Sequence, residues 1–145
     1  MEIETFQYTQ GRGWSPEPRA DLDSDHTVVL VFGSTDCYDN PEPLRQLLGR
    51  FSAARVIGCS TSGEIYGGAV YDHSLSGAVL RIPGTEVRTA GAPINGVEHS
   101  YQAGVSIAQQ LRREDLKGVI VLSDGQDGAH QPGRQRRGAE PDLRR

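Results

Sequence analysis

Cysteine is scarce in this chain: Cys37 and Cys59 are the whole supply, too few for a disulfide framework. Histidine is scattered, at His26, His73, His99 and His130, and no histidine or cysteine spacing fits a zinc site. No apolar run approaches the ~18 residues that a membrane helix requires. The first residues, Met1-Glu2-Ile3-Glu4, are acidic and lack the basic-then-apolar order of a signal peptide. A soluble, cytoplasmic protein with no membrane partner is therefore the expectation. The phosphate-binding pattern Gly-x-x-x-x-Gly-Lys-Ser/Thr is missing, which excludes a nucleotide site of that type, and no motif calls for a cofactor. Lysine is nearly missing as well: Lys117 is the single lysine among 15 basic residues, a bias typical of GC-rich coding.

Charge is uneven. Residues 1 to 125 carry 10 basic and 16 acidic side chains, a net of −6, while residues 126 to 145 carry five arginines against three acids, a net of +2. An acidic main body argues against nucleic acid as the principal partner. The apolar fraction, 36%, is low for a compact domain. The shortfall lies mainly at the two ends, and 145 residues still suffice for one core.

Apolar periodicity then predicts the elements. Glu2 to Tyr8 alternates imperfectly and reads as a half-buried strand facing inward with Ile3, Phe6 or Tyr8. Gly11 to Asp25 is a loop that Trp14 pins to the core. Thr27 to Gly33 is a continuous β-branched run, the signature of a strand covered on both faces. Asn40-Pro41 starts a helix, and Leu44, Leu47, Leu48 and Phe51 give it one apolar face. Arg55 to Ser60 is the next strand, so strand, helix and strand form a crossover unit with parallel strands. Residues 61 to 72 read as a glycine-rich loop. Ser74 to Ile82 and Glu86 to Ile94 read as an antiparallel hairpin about the Pro83-Gly84 turn. A second helix, His99 to Arg113, presents Tyr101, Val105, Ala108 and Leu111, and Gly118 to Ser123 reads as another buried strand. The expected class is α/β, with α+β as the alternative: a mixed sheet, two helices packed on it and a β-hairpin.

Val56 to Glu64 carries the chemistry. A buried strand breaks there into a turn with a thiol, three hydroxyls and a carboxylate, flanked by Gly58 and Gly63. Such a break is a common pocket floor, at the carboxyl end of a strand where α/β proteins bind ligands. The plainer reading is a tight loop whose hydroxyls satisfy their own backbone. The expected ligand-binding set is Cys59, Ser60, Thr61, Gly63, Glu64 and Asp124. A cysteine-dependent enzyme using Cys59, with His73 as base, is the alternative. The Gly-x-Ser-x-Gly elbow is not met, because Ser62 stands where the second glycine would be.

These residues resemble the N-terminal FIST domain (F-box and intracellular signal transduction). The resemblance is carried by Val28–Gly33, by Gly58-Cys59-Ser60-Thr61-Ser62-Gly63-Glu64-Ile65, by Gly68 to Gly77, and by Val121-Leu122-Ser123-Asp124-Gly125. It runs from about Thr27 to Gly125. It implies an intracellular sensory module for a small ligand, an amino acid among the candidates, coupled to a signalling output protein or to a C-terminal FIST domain. The expected division is an N-terminal strand and loop (1–26), a partial FIST N-like domain (27–126) and a tail (127–145). The tail departs from the family pattern. Its arginine, glycine and proline content predicts disorder and is also what a shifted reading frame produces in GC-rich DNA, so a truncated or non-functional form is a further expectation.

Overall fold

The structure, a computed structural model, describes residues 1–94 and 96–123. Two compact units emerge, Met1–Val87 and a second beginning at Arg88.

The first unit is built on a five-stranded sheet of order β2-β1-β7-β3-β4. Its strands are β1 (Glu2–Thr9), β2 (Gly13–Trp14), β3 (Thr27–Ser34), β4 (Arg55–Thr61) and β7 (Ser74–Arg81). β3 and β4 run parallel, in register Val29 with Val56 and Phe32 with Cys59, and β7 lies antiparallel to both β1 and β3. The expected strand–helix–strand unit is present: α1 (Glu42–Arg50) connects β3 to β4. Helix entry differs by one residue from the sequence reading. Pro41 occupies the N-cap, while Asn40 Oδ1 accepts the N–H of Glu42 at 3.4 Å, so Asn40 caps from one residue further back.

One face of the sheet carries the core. Phe6, Val29, Val31, Leu75 and Val79 meet Leu47 of α1 and Phe51 at its C-cap, with Leu22 and Ala54. Phe6 faces inward and Ile3, on the opposite face, is 52% exposed, which settles the imperfect alternation of β1. Gly77 makes this packing possible. A Cβ there would stand 2.5 Å from Phe6 Cζ and 2.2 Å from the Leu30 carbonyl oxygen. Trp14 pins its loop as expected: its ring meets Phe6 and Tyr8 edge-on at 5.8 and 5.2 Å, and its Nε1–H donates to Gln46 Oε1 on α1. Asp23 fastens the turn between α1 and β4, accepting the backbone N–H groups of Ser52, Ala53 and Ala54. Burial opposes charge on this carboxyl, but the bonds from Ala54, Ala53 and Ser52 together hold it below the usual carboxylate range.

Three expectations are corrected. The glycine-rich stretch 61–72 is not a loop: β5 (Glu64–Tyr66) and β6 (Ala69–Tyr71) form a hairpin, paired Ile65 with Val70. Gly67 and Gly68 both take positive φ, 58° and 82°, the pattern of a two-residue hairpin turn that only glycine enters freely. Second, Glu86–Ile94 does not return along β7. The Pro83-Gly84 turn forms, with Thr85 N–H donating to the Ile82 carbonyl, but both edges of β7 are already taken by β1 and β3. No ladder is left for another strand to join. Third, Gly118–Ser123 is neither a strand nor buried: Val119, Ile120 and Val121 are 51%, 55% and 69% exposed. A strand exists only through a neighbour, and none pairs with this run among the described residues.

In the second unit, α2 (Ser100–Leu111) is the one α-helix among the described residues. Its expected apolar face does not close: Tyr101 is 77% exposed, and Ala103 is its buried residue. Among the described residues no helix is long and apolar enough to cross a membrane.

Candidate functional site

The parallel register of β3 and β4 sets which side of the sheet each residue of the Gly-Cys-Ser-Thr stretch serves. Val56 packs against the core, and Gly58 lies over Val31 on that same side. Cys59 and Thr61 therefore leave the opposite face, level with Phe32 and Ser34. Cys59 and Ser60 are exposed, while Thr61 and Gly63 are half-buried. Glu64 is different: it is 1% exposed, and both its oxygens are occupied. Oε1 accepts the hydroxyl of Thr61 and Oε2 that of Ser74, each at 2.7 Å. This carboxylate joins the end of β4, the start of β5 and the start of β7. It holds the β5–β6 hairpin against the sheet face that α1 does not cover. Asp124 lies outside the described residues.

Between that hairpin and the sheet lies a cleft of about 400 Å³. Leu30, Phe32, Ser76 and Ala78 supply its floor, and Ile65 and Tyr66 its hairpin wall. Its volume falls in the range of small-molecule sites. Cys59 is the β4 neighbour of Phe32 and so stands on the cleft's side of the sheet.

A second concavity, beside the end of β3, is lined by Ser34, Asp36, Cys37, His73 and Ser74 among others. At about 30 Å³ it has room for a water, not for an organic ligand. Its feature is an ion pair that sequence reading did not find, between His73 Nδ1 and Asp36 Oδ2. The hydrogen bond to Asp36 raises the imidazole's pKa above its ordinary value, and the same bond lowers that of the Asp36 carboxyl. His73 sits in the two-residue link between β6 and β7 with φ of 51°, a left-handed conformation uncommon for a side-chain-bearing residue. The signal was too diffuse to find in sequence: 37 residues separate the partners. Burial, then the charges of Glu64 and Asp36, push the Cys37 thiol up, which keeps it protonated rather than nucleophilic. The base proposed for Cys59, His73, is engaged by Asp36, and Cys59 Sγ has no hydrogen-bond partner among the described residues. No group of three His, Cys, Asp or Glu among the described residues could hold a metal ion.

A mixed sheet with one face closed by a helix and the other opened into a cleft under a glycine hairpin defines a small α/β module with room for a ligand. The family model described as FIST N domain matches residues 27–132. The chain belongs to the FIST N family, whose domains are small-ligand-sensing modules of signal transduction. No curated protein and no solved structure matches it.

Proposed function

We propose that this chain is a cytoplasmic sensory module that takes a small molecule into the cleft under the β5–β6 hairpin. The observation that carries the reading is the position of the Gly-Cys-Ser-Thr-Ser-Gly-Glu stretch. It forms the edge strand beside β3 and runs directly into β5, whose Ile65 and Tyr66 wall the cleft, although no residue from Gly58 to Glu64 is itself part of the lining. In this reading Cys59, Thr61 and Gly63 border the ligand and Glu64 braces the hairpin that closes over it, while Ser60, on the α1 side of the sheet, stands away from it. The output is a separate signalling protein or a C-terminal FIST domain, which responds to the hairpin's position. A truncated form would bind without relaying.

The test is thermal melting of the whole chain against a panel of free amino acids and uncharged small metabolites. A ligand present at a hundred times its Kd stabilises the fold by about 2.7 kcal/mol, a shift of several degrees. The same ligand should fail to protect a Cys59→Trp variant. A panel in which nothing raises the melting temperature, or raises it equally in that variant, removes the reading.

A further inference from the structure

The cleft's chemistry narrows what it can hold, an inference that rests on the sensory reading above. The ladders on either side of β7 lay out its floor. Leu30 stands opposite Ala78 and Phe32 opposite Ser76, while Thr5 stands opposite Ala78 from the β1 side. These side chains leave the sheet away from α1, because the residues that alternate with them on the same strands fill the core. From β3 toward β1 the floor therefore changes from apolar, at Leu30 and Phe32, to hydroxylated, at Ser76 and Thr5. The hairpin wall adds Tyr66 and Ile65, and Ile65 is 71% exposed. A molecule lodged between wall and floor would cover apolar surface on both sides.

Among the described residues that line the cleft, none is Lys, Arg, His, Asp or Glu. A carboxylate or ammonium laid on this floor would give up water and meet no counter-charge in the lining. Glu64, at the foot of the hairpin, is not part of that lining, and its oxygens already accept the hydroxyls of Thr61 and Ser74. Polar capacity of another kind is present. Ser76 is 6% exposed and lines the cleft. Its hydroxyl has no hydrogen-bond partner among the described residues and, unlike Gln7 Nε2, is not sealed from solvent. A hydroxyl both donates and accepts, so it can serve a carbonyl, an amide or an alcohol without calling for a charge.

We infer that the cleft binds an uncharged, largely apolar molecule with one uncharged polar end, its body lying on Leu30, Phe32 and Ala78 and its polar end held by the Ser76 hydroxyl. Aromatic amides, ketones and alcohols of modest size meet both demands. Free amino acids do not, because the lining offers neither their carboxylate nor their ammonium a counter-charge.

The experiment uses the whole chain in equilibrium dialysis against 2-naphthamide, 2-naphthoate and naphthalene. The amide and the carboxylate share one shape and differ in charge, and naphthalene lacks the polar end. Expected is saturable binding of one naphthamide per chain, with naphthoate about tenfold or more weaker for want of a counter-charge. Ser76→Ala should weaken naphthamide about three- to tenfold, the loss of one hydrogen bond, and leave naphthalene unchanged. Ala78→Phe, which fills the floor, should abolish both. Circular dichroism and melting of both variants establish that they fold, and Ser76→Ala, which removes one oxygen, keeps the test alive if Ala78→Phe does not. Absence of saturable naphthamide binding, naphthoate bound as tightly, or equal binding to a folded Ala78→Phe overturns the proposal. So does a Ser76→Ala variant that binds naphthamide as the parent does. A free amino acid that raises the melting temperature in the panel above, while naphthamide fails to bind, overturns the ligand class and leaves the sensory module standing. Failure of naphthamide together with the whole panel removes both.

Discussion

Single residues here serve either the frame or the cleft, and their environments separate the two roles. Gln7 is a frame residue with a cost: its buried amide N–H has no acceptor. Gln7→Leu keeps the bulk and removes the orphan, so it should stabilise the chain by about 1–2 kcal/mol in denaturant unfolding. A variant no more stable than the parent would show that Nε2 is already satisfied. The Asp36–His73 pair makes a second prediction at this scale. The imidazole's folded pKa is raised above the ordinary 6.5, so its contribution is fully present below 6.5 and is lost as pH rises through the folded value. The Asp36 carboxyl is lowered from 3.8, so its contribution is present above 3.8 and is lost as pH falls through its folded value. The pair therefore holds the β6–β7 link best between about pH 4 and 6.5. A proton NMR titration of His73 should show a midpoint above 6.5 that returns to the ordinary value in Asp36→Asn. An unchanged midpoint in that variant would discard the pair. Both groups are on the surface, so salt should bring the midpoint down.

Among the elements, the β5–β6 hairpin is the one whose loss should matter most for ligand binding. Two strands of three residues do not hold together alone. Two features support them: the paired left-handed glycines of the turn and the buried Glu64 carboxylate. Valine at position 68 would be forced into a conformation costing about 1–3 kcal/mol. Gly68→Val should therefore loosen residues 64–71 and speed their amide exchange, while leaving β3 and β7 protected. Uniform loss of protection across the sheet would mean the hairpin is part of the global fold and not a separable cover. Glu64→Ala should loosen the same segment by a different route, since it frees the hydroxyls of Thr61 and Ser74. Asp23, by contrast, acts on the core side, where its bonds to Ser52, Ala53 and Ala54 set the entry to β4.

For the whole molecule, the contrast is between a first unit with a closed core and a second unit with exposed apolar side chains. Leu116, Val119, Ile120, Val121 and Leu122 are all at least 37% exposed. A contiguous β-branched run with no pairing strand among the described residues is a template for association. The chain should self-associate as concentration rises, seen as a growing apparent mass in sedimentation velocity. The double variant Val119→Lys and Val121→Lys should remain monomeric over the same range. If both forms sediment alike, the run is not the surface responsible. The first unit should melt identically in the two, because the residues of its core cluster belong to Met1–Val87.

How much of this could be read without coordinates follows from the range of the interactions involved. β3, α1 and β4 were legible because their signals are local: a continuous β-branched run, an Asn-Pro start, leucines at helical spacing. The Gly-Cys-Ser-Thr-Ser-Gly-Glu-Ile stretch and its family were legible for the same reason, as a contiguous motif. The fate of Gly118–Ser123 was not, although its composition matches that of β3, because burial of a strand depends on a neighbour and not on its own residues. Glu86–Ile94 failed likewise: its turn formed, but β1 had already taken the free edge of β7. The role of Glu64 was also hidden. Its sequence context marks it as a polar turn residue, and only the approach of Ser74, ten positions on, turns it into a buried brace. The cleft belongs wholly to tertiary structure, since its floor comes from β3 and β7 and its wall from the hairpin. Local patterns set which segments extend or coil; the pairing of distant strands decided which faces closed and which stayed open.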